Sequence, residues 1–197
     1  MTKRKITDYV ENVFSKYPVI TITGPRQSGK TTLAKSCFPD KPYINLEHLE
    51  TRRFVEEDPV AFLRSIPDGA ILDEVQNVPE LPSYIQVSVD EKKQNGMFVL
   101  TGSRQLNMLE SVSQSLAGRT AIIKLLPFSL EEILGTFTEL PKNTDDLMFR
   151  GFYPRLYDQK IDPATGLADY VETYIERDLR QLSQIQDLLL FQKFMKL

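Results

Sequence analysis

The stretch that decides the fold is GPRQSGKT, residues 24–31, which follows the apolar run VITIT. It matches the phosphate-binding pattern G-x-x-x-x-G-K-[ST] at every fixed position, with a predicted strand before it and a predicted helix after it. Gly24 and Gly29 can adopt backbone angles closed to other residues, so the loop can wrap an anion with its N–H groups pointing inward. Lys30 supplies a charge for the β and γ phosphates, and Thr31 a hydroxyl for Mg²⁺. The stretch predicts a nucleoside triphosphate site.

The nucleotide is expected to lie along this loop and the start of the following helix. The N-terminal end of that helix carries the positive end of the helix dipole, which favours a bound anion. The alternative is a glycine-containing turn that matches the pattern by chance, and the flanking strand argues against it. The residues expected to bind the nucleotide are Gly24, Pro25, Arg26, Gln27, Ser28, Gly29, Lys30, Thr31 and Thr32.

The composition is that of an ordinary globular protein: 197 residues, 41% hydrophobic and 26% charged. A formal net charge of −3 gives no overall basic bias toward nucleic acid. The single cysteine, Cys37, cannot form an internal disulfide, and the single histidine, His48, gives poor support for a histidine-based triad. No apolar run reaches the ~18 residues of a membrane span, and the first residues lack an apolar signal core. These features predict a cytoplasmic protein.

Strand and helix patterns alternate along the first two thirds of the chain. This alternation indicates βαβ units with right-handed crossovers, and therefore a three-layer α/β sandwich around a parallel sheet. A helix is also predicted from about Leu106 to Leu116, before the fifth strand. The predicted strands are residues 19–23, 43–46, 69–74, 97–100 and 120–126.

The pattern changes after Pro127. Ser129 and Glu132 have the spacing of a capping box at the start of a short helix, and a loop-rich stretch follows over residues 136–160. An apolar stripe from Leu167 to Leu182 predicts a long helix. A second apolar helix begins near Asp187 and is still running at the last residue. We therefore expect a truncated chain that lacks part of a C-terminal domain.

Polar side chains end the third predicted strand and follow the fourth, at the end of the sheet where ligands bind in parallel sheets. Asp73 is a candidate to hold Mg²⁺ together with the Thr31 hydroxyl, because Mg²⁺ keeps several waters and needs few protein ligands. Glu74 can polarise an attacking water. The alternative for both is an acidic surface pair that ends a strand. Thr101 and Ser103 offer hydroxyls toward the γ-phosphate, or serve as turn residues, and the sequence does not separate the two.

Taken together, these positions resemble the AAA+ ATPases, most closely the prokaryotic group that carries a C-terminal domain of unknown function. The resemblance runs from about Ile6 to the end of the chain. The phosphate loop is shared by many NTPases, whereas LDEVQ, TGSR and LAGR in this order are more specific. The segments that carry the resemblance are GPRQSGKT, AILDEVQNVPEL, VLTGS, SLAGR, LLPFSLEEI and YIERDLRQL.

The resemblance implies a five-stranded parallel sheet of order 5-1-4-3-2, with ATP or ADP and Mg²⁺ as ligands. The position of Arg119 after a predicted helix is typical of a charge at a helix C-terminus. The resemblance implies instead that Arg119 is an arginine finger donated to the nucleotide of a neighbouring subunit, and therefore that the protein is a homo-oligomer. The implied parts are an ATPase core at 1–127, a reduced lid or linker at 128–160, and the helical start of the truncated domain at 161–197. The implied catalytic residues are Glu74, Lys30, Thr101, Ser103 and Arg119, and the implied metal ligands are Thr31 and Asp73.

Three functions are compatible with this site. The first is Mg²⁺-dependent ATP hydrolysis that drives a conformational change. The Asp73–Glu74 pair favours this function, because a second carboxylate can activate water as the phosphoryl acceptor. The second is a nucleotide-dependent switch with little turnover. The third is a small-molecule kinase, which needs an acceptor pocket and lid arginines that the stretch after Leu126 does not clearly offer. No N-K-x-D guanine signature occurs, so adenine is the expected base, and a protein or DNA target is left open.

Overall fold

The structure is a computed structural model that describes residues 3–103, 112 and 114–177. Most of the helix predicted over 106–116, the end of the stripe reaching Leu182 and the helix predicted from Asp187 lie outside these residues. The chain divides into two compact units between Glu132 and Ile133. The elements of the first unit are α1 (Thr7–Phe14), β1 (Val19–Thr23), α2 (Lys30–Cys37), β2 (Tyr43–Asn45), α3 (Leu49–Glu57), α4 (Pro59–Ser65), β3 (Ile71–Asp73), a 3-10 turn (Val75–Asn77), α5 (Leu81–Lys92), β4 (Phe98–Gly102) and β5 (Thr120–Lys124).

The five strands form one parallel sheet of order β2-β3-β4-β1-β5. Counted from β5 instead of β2, this is the predicted order 5-1-4-3-2, so the predicted fold is confirmed. All five residues of β1 and of β4 are buried, as expected for central strands covered on both faces. Because the strands are parallel, the loops after β1, β3 and β4 leave the sheet at the same edge.

Helices cover both faces of the sheet. Side chains alternate between the faces of a strand, and neighbours on β3 and β4 accordingly belong to different apolar clusters. Leu72 and Leu100 pack in the cluster that contains residues of α3, α4 and α5. Ile71 and Val99 pack in the cluster that contains residues of α1 and α2. The first unit is therefore a three-layer sandwich.

Local sequence signals explain several boundaries, and two predictions need correction. Asp58 caps α4 by accepting a hydrogen bond from the Ala61 N–H at 2.8 Å, as the Asp-Pro pair predicts. The third strand is shorter than predicted because Glu74 leaves the extended conformation, with φ of 57°. The sequence reading missed α3, a helix whose exposed face is strongly charged.

The second unit contains more helix than its sequence suggests. It holds the end of α6 (Leu130–Thr136), then α7 (Thr144–Arg150), α8 (Pro154–Asp158) and α9 (Pro163–Arg177). The stretch predicted as loop-rich therefore carries two short helices, one capped by the Asn143 side chain and one begun by Pro154. In the part of the chain that the structure describes, no helix is both long enough and apolar enough to cross a bilayer.

Candidate functional site

The phosphate loop lies at the carboxyl end of β1, and its glycines have the backbone angles that the motif predicts. Gly24 has φ of 151° and Gly29 has φ of 91°, a region that side chains with a Cβ rarely adopt. A Cβ at Gly24 would also overlap the carbonyl oxygen of Leu125. That residue anchors the loop to β5, since its N–H donates to the Thr23 carbonyl at 2.7 Å. The loop is therefore held at its first residue by the neighbouring strand.

Two buried polar groups in the loop fit an anionic ligand. The Lys30 ammonium is buried and donates to the carbonyls of Gly24 at 3.0 Å and Pro25 at 2.8 Å. Burial lowers the pKa of Lys30, while the nearby carboxylates of the site oppose that shift. The Ser28 hydroxyl is fully buried and has no hydrogen-bond partner within the described residues. A buried cation and an unsatisfied hydroxyl next to a wrapped loop are what a phosphate chain would satisfy.

The metal candidates lie together. The Thr31 hydroxyl donates to both oxygens of the Asp73 carboxylate, at 3.1 and 3.0 Å. Thr101 donates its buried hydroxyl to Asp73 Oδ1, and Tyr43 donates its phenol to Oδ2 at 2.7 Å. Burial, with the adjacent carboxylate, raises the pKa of Tyr43, so its hydroxyl stays protonated and acts as the donor. A hydroxyl beside a carboxylate at the end of the phosphate loop is a donor set that suits Mg²⁺.

Glu74 faces a different hydroxyl. Its carboxylate accepts a hydrogen bond from Ser103 Oγ at 3.2 Å and another from Gln76 Nε2. The two hydroxyls that the sequence could not separate thus divide between the two acidic residues, Thr101 on Asp73 and Ser103 on Glu74. The other amide atom of Gln76, Oε1, is buried without a partner among the residues that the structure describes.

The remaining loop candidates lie around the rim. Pro25 and Arg26 are half-buried, Gln27 is exposed with φ of 60°, and Thr32 is exposed on the first turn of α2. The backbone carbonyl of Pro25 accepts a hydrogen bond from the Lys30 ammonium.

Arg119 lies at the opposite edge of the sheet. Its carbonyl accepts a hydrogen bond from the Val19 N–H at 3.2 Å, which places it at the amino end of β1. Its guanidinium binds the Asp90 carboxylate in a bidentate pair, at 2.6 and 2.8 Å, and this hydrogen bonding holds the pKa of Asp90 below its usual range. A strand of five residues spans roughly 15 Å. The structure therefore does not bring Arg119 to the phosphate loop of its own chain.

Tyr43 and Gln76 are site residues that sequence reasoning missed. Gln76 lies two residues after Glu74 in the segment LDEVQ, and this spacing could have indicated its contact with the Glu74 carboxylate. Tyr43 begins β2, and only the pairing of β2 with β3 brings its ring to Asp73.

The family models match the chain in two parts. A model described as an AAA domain matches residues 16–134, which is more than half of the chain. The chain belongs to the AAA domain family. A second model, described as a domain of unknown function, matches residues 141–197. Together they confirm the resemblance stated above, an AAA domain followed by a C-terminal domain of unknown function.

Two relatives of this AAA domain protein share less than a third of the aligned residues with it. Uncharacterized proteins of Mycobacterium bovis and Mycobacterium tuberculosis are each 28% identical to it over 185 residues. The alignments cover 91% of this chain and 40% of each relative, so the chain spans about two fifths of their length. Among solved structures, the Walker-type ATPase PABY2304 of Pyrococcus abyssi is similar with a TM-score of 0.60 and 16% identity, over 94% of this chain and 76% of that one. That likeness shows a shared fold.

Proposed function

We propose that this protein binds ATP with Mg²⁺ and hydrolyses it, and that the cycle drives a conformational change. The observation that carries the proposal is the contact of the Thr31 hydroxyl with both oxygens of Asp73, at 3.0–3.1 Å, beside a loop that holds a buried lysine. A phosphate loop and an acidic residue from another strand of the same sheet are what a metal-bound triphosphate requires. The ligands are ATP and its product ADP.

Each residue of the site has a role that its position supports. The N–H groups of residues 24–32, apart from Pro25, which has none, bind the phosphates together with the Lys30 ammonium, and Thr31 and Asp73 hold the metal. Bound Mg²⁺ supplies positive charge that neutralises the phosphate oxygens. Glu74 orients and polarises the attacking water.

Two hydroxyls complete the site at the end of β4. Thr101 orients the Asp73 carboxylate, because it donates to Oδ1 from a fully buried position. Ser103 orients Glu74 through its hydroxyl and contributes a polar group next to the γ-phosphate. Both therefore act as the polar groups expected after the fourth strand.

Arg119 acts on a second copy of the chain. Its place at the amino edge of the sheet excludes a direct role at its own phosphate loop, so it serves as a finger that completes a neighbour's site in a homo-oligomer. Isolated monomers then hydrolyse ATP slowly. The ATPase core at 1–127 passes the change through the linker at 128–160 to the C-terminal part beginning at 161, in a cytoplasmic protein whose target is another protein or DNA.

A second candidate function, a nucleotide-dependent switch with little turnover, is favoured by one observation. Both acidic residues are already engaged: Asp73 by three hydroxyls, and Glu74 by Gln76 and Ser103. If Glu74 kept these bonds with nucleotide present, the attacking water would lack a base. The protein would then bind ATP tightly and change state without hydrolysing it.

Steady-state phosphate release by the 197-residue chain, with ATP and Mg²⁺ and no added acceptor, tests the proposal. We expect turnover in the unmodified chain, and we expect Glu74→Gln to keep ATP affinity while losing at least about 100-fold in kcat. Glu80→Gln, an exposed residue before α5, is the matched control. The same assay with added DNA, beside the mass in solution with ATP present, addresses target and assembly.

The possible outcomes separate the three functions. Phosphate release without an acceptor, abolished by Glu74→Gln, supports the ATPase. ATP binding without release supports the switch and rejects hydrolysis. ADP formation that begins only when a small-molecule acceptor is added, with no release of phosphate, identifies a kinase instead.

A further inference from the structure

Arg4 is a buried arginine in the short segment before α1. Its side chain has 9% relative exposure although it lies between two exposed lysines in a segment that reads as a charged tail. All three guanidinium nitrogens are engaged. Nε donates to Glu132 Oε1 at 3.0 Å, Nη1 to the Ser28 carbonyl at 2.9 Å, and Nη2 to the carbonyls of Leu126 at 2.8 Å and Pro127 at 3.0 Å. A charged group buried with this many partners is fixed in one orientation.

The contact with Ser28 reaches the phosphate loop itself. The carbonyl of Ser28 and the N–H of Gly29 belong to one peptide unit, which is planar and trans, so they point in opposite directions. A hydrogen bond that fixes the carbonyl therefore also fixes the direction of the Gly29 N–H. The guanidinium packs against this unit, since a Cβ on Gly29 would lie 3.5 Å from Nη1.

Charge adds to the geometric effect. A charge-assisted hydrogen bond to a carbonyl polarises its peptide and strengthens the N–H on the other side as a donor. Glu132 balances the guanidinium and is itself held by the N–H groups of Lys5 at 2.8 Å and Ser129 at 2.7 Å. The Phe128 ring covers the guanidinium, with its centroid 5.0 Å from Cζ. The ring therefore helps to shield the cation from solvent.

We propose that Arg4 is a positioning residue for phosphate binding, which orients the Ser28–Gly29 peptide so that its N–H group points at the phosphate chain of the nucleotide. This inference rests on the proposed function, because it assigns a role at the same site. It adds a residue from outside the phosphate-loop motif, contributed by the segment before α1. Glu132 serves a different purpose: it balances the buried charge and does not touch the loop peptide.

The difference between Arg4 and Glu132 provides the test. Arg4→Lys keeps a positive charge but has a single nitrogen, which cannot reach the Ser28 carbonyl and the other acceptors together. Glu132→Gln removes the negative charge and keeps one acceptor oxygen, which can still accept from Arg4 Nε and the Lys5 N–H, while its amide nitrogen cannot accept from the Ser129 N–H. Both variants lose stability, because each disturbs a buried ion pair. Only the first disturbs the orientation of the Gly29 N–H.

The experiment is calorimetric titration of the 197-residue chain and the two variants with ATP–Mg²⁺ and with inorganic pyrophosphate, beside thermal unfolding of each. Pyrophosphate contains no base or ribose and reports on the phosphate loop alone. We expect Arg4→Lys to weaken both ligands by about 10- to 100-fold, the range of one charge-assisted hydrogen bond. We expect Glu132→Gln to stay within about threefold of the unmodified chain for both ligands, despite its lower melting temperature.

Two results would overturn the proposal. One is Arg4→Lys binding pyrophosphate as tightly as the unmodified chain. The other is a loss of affinity that follows the loss of melting temperature equally in both variants, which would show that Arg4 acts only through stability. If the unmodified chain itself fails to bind ATP or pyrophosphate, the proposed function fails before the role of Arg4 is reached.

Discussion

The two edges of the sheet carry the same kinds of side chain in different surroundings. At the carboxyl edge, Lys30, Asp73 and Thr101 are buried: Thr101 donates a hydrogen bond to Asp73, and Lys30 donates to the carbonyls of Gly24 and Pro25. At the amino edge, Asp90 and Arg119 form a bidentate pair whose side chains are 46% and 34% exposed. A buried network has one geometry and strong interactions, whereas an exposed ion pair is screened by water and salt. The first edge is built to hold a ligand, and the second can exchange its partner.

Arg119→Ala should produce the largest effect and tests whether the two edges meet between copies. Because the exposed pair contributes little to stability, we expect the melting temperature to change by no more than about 2 °C. If a second copy supplies this arginine, kcat should fall about 1,000-fold at concentrations where copies associate. Phosphate release and thermal unfolding measure the two quantities.

Mixing supplies the control for this prediction. Arg119→Ala has an intact Glu74, and Glu74→Gln has an intact Arg119, so a mixture should recover part of the turnover that each variant lacks alone. Asp90→Asn, which frees the arginine, should retain turnover. Full activity of Arg119→Ala would show that hydrolysis needs no arginine from a second copy.

Lys30→Ala tests the buried edge. The ammonium is the buried charged donor of the phosphate loop, so its loss should weaken ATP binding by about 100-fold or more. The fold should persist, since burial already disfavours the charged form of this lysine. Calorimetry measures the affinity, and Lys16→Ala, at an exposed position after α1, is the control. Unchanged affinity would mean that the nucleotide lies elsewhere.

Tyr43→Phe should have a smaller and more specific effect. The phenol donates to Asp73 Oδ2 at 2.7 Å and so fixes the carboxylate that we expect to hold Mg²⁺. Without it, the Mg²⁺ concentration needed for half-maximal tightening of ATP binding should rise about three- to tenfold, while affinity for ATP without metal is retained. Tyr84→Phe on α5 is the control. An unchanged Mg²⁺ midpoint would remove Tyr43 from the metal site.

Two carboxyl groups, those of Glu132 and Asp90, should make the free energy of unfolding depend on pH, to slightly different extents. Burial opposes ionisation of Glu132, but hydrogen bonds from Ser129, Lys5 and Arg4 outweigh it and lower its pKa. Hydrogen bonding to Arg119 lowers the pKa of Asp90. In both cases the unfolded chain binds more protons in acid, so stability is present above the ordinary carboxyl pKa and is lost as pH falls.

The size of that loss is the measurable difference. Urea unfolding at pH values from roughly 6 to 3 should show a flatter profile for Glu132→Gln than for Asp90→Asn, because water and salt screen the exposed pair. Equal flattening in the two variants would contradict the distinction between a buried and an exposed carboxylate.

The parts of the fold and of the site that a contiguous stretch of sequence encodes could be predicted. Residues 24–31 specify their own loop, and the apolar run before Asp73 places that carboxylate at the end of a strand. The sheet order, which the resemblance to the AAA+ ATPases implied, is confirmed. The choice between Thr101 and Ser103 could not be made, because each hydroxyl is assigned by the carboxylate it meets in space. Tyr43 is 30 residues from Asp73, and Arg4 is 128 residues from Glu132. Such contacts depend on packing that no local pattern records.

The second unit shows the same limit. Short helices such as α7 and α8 depend on single residues at their start, the Asn143 cap and Pro154 in the first turn, within a polar stretch that is typical of a loop. Helices of five to seven residues carry too few apolar repeats to show a period.

The central claim is that the phosphate loop at the carboxyl edge binds ATP together with Mg²⁺. The most direct measurement is calorimetric titration of the 197-residue chain with ATP, with and without Mg²⁺. We expect one ATP bound per chain, with a dissociation constant in the micromolar range that tightens when Mg²⁺ is present. No heat of binding at millimolar ATP, in a sample shown to be folded, would contradict the account.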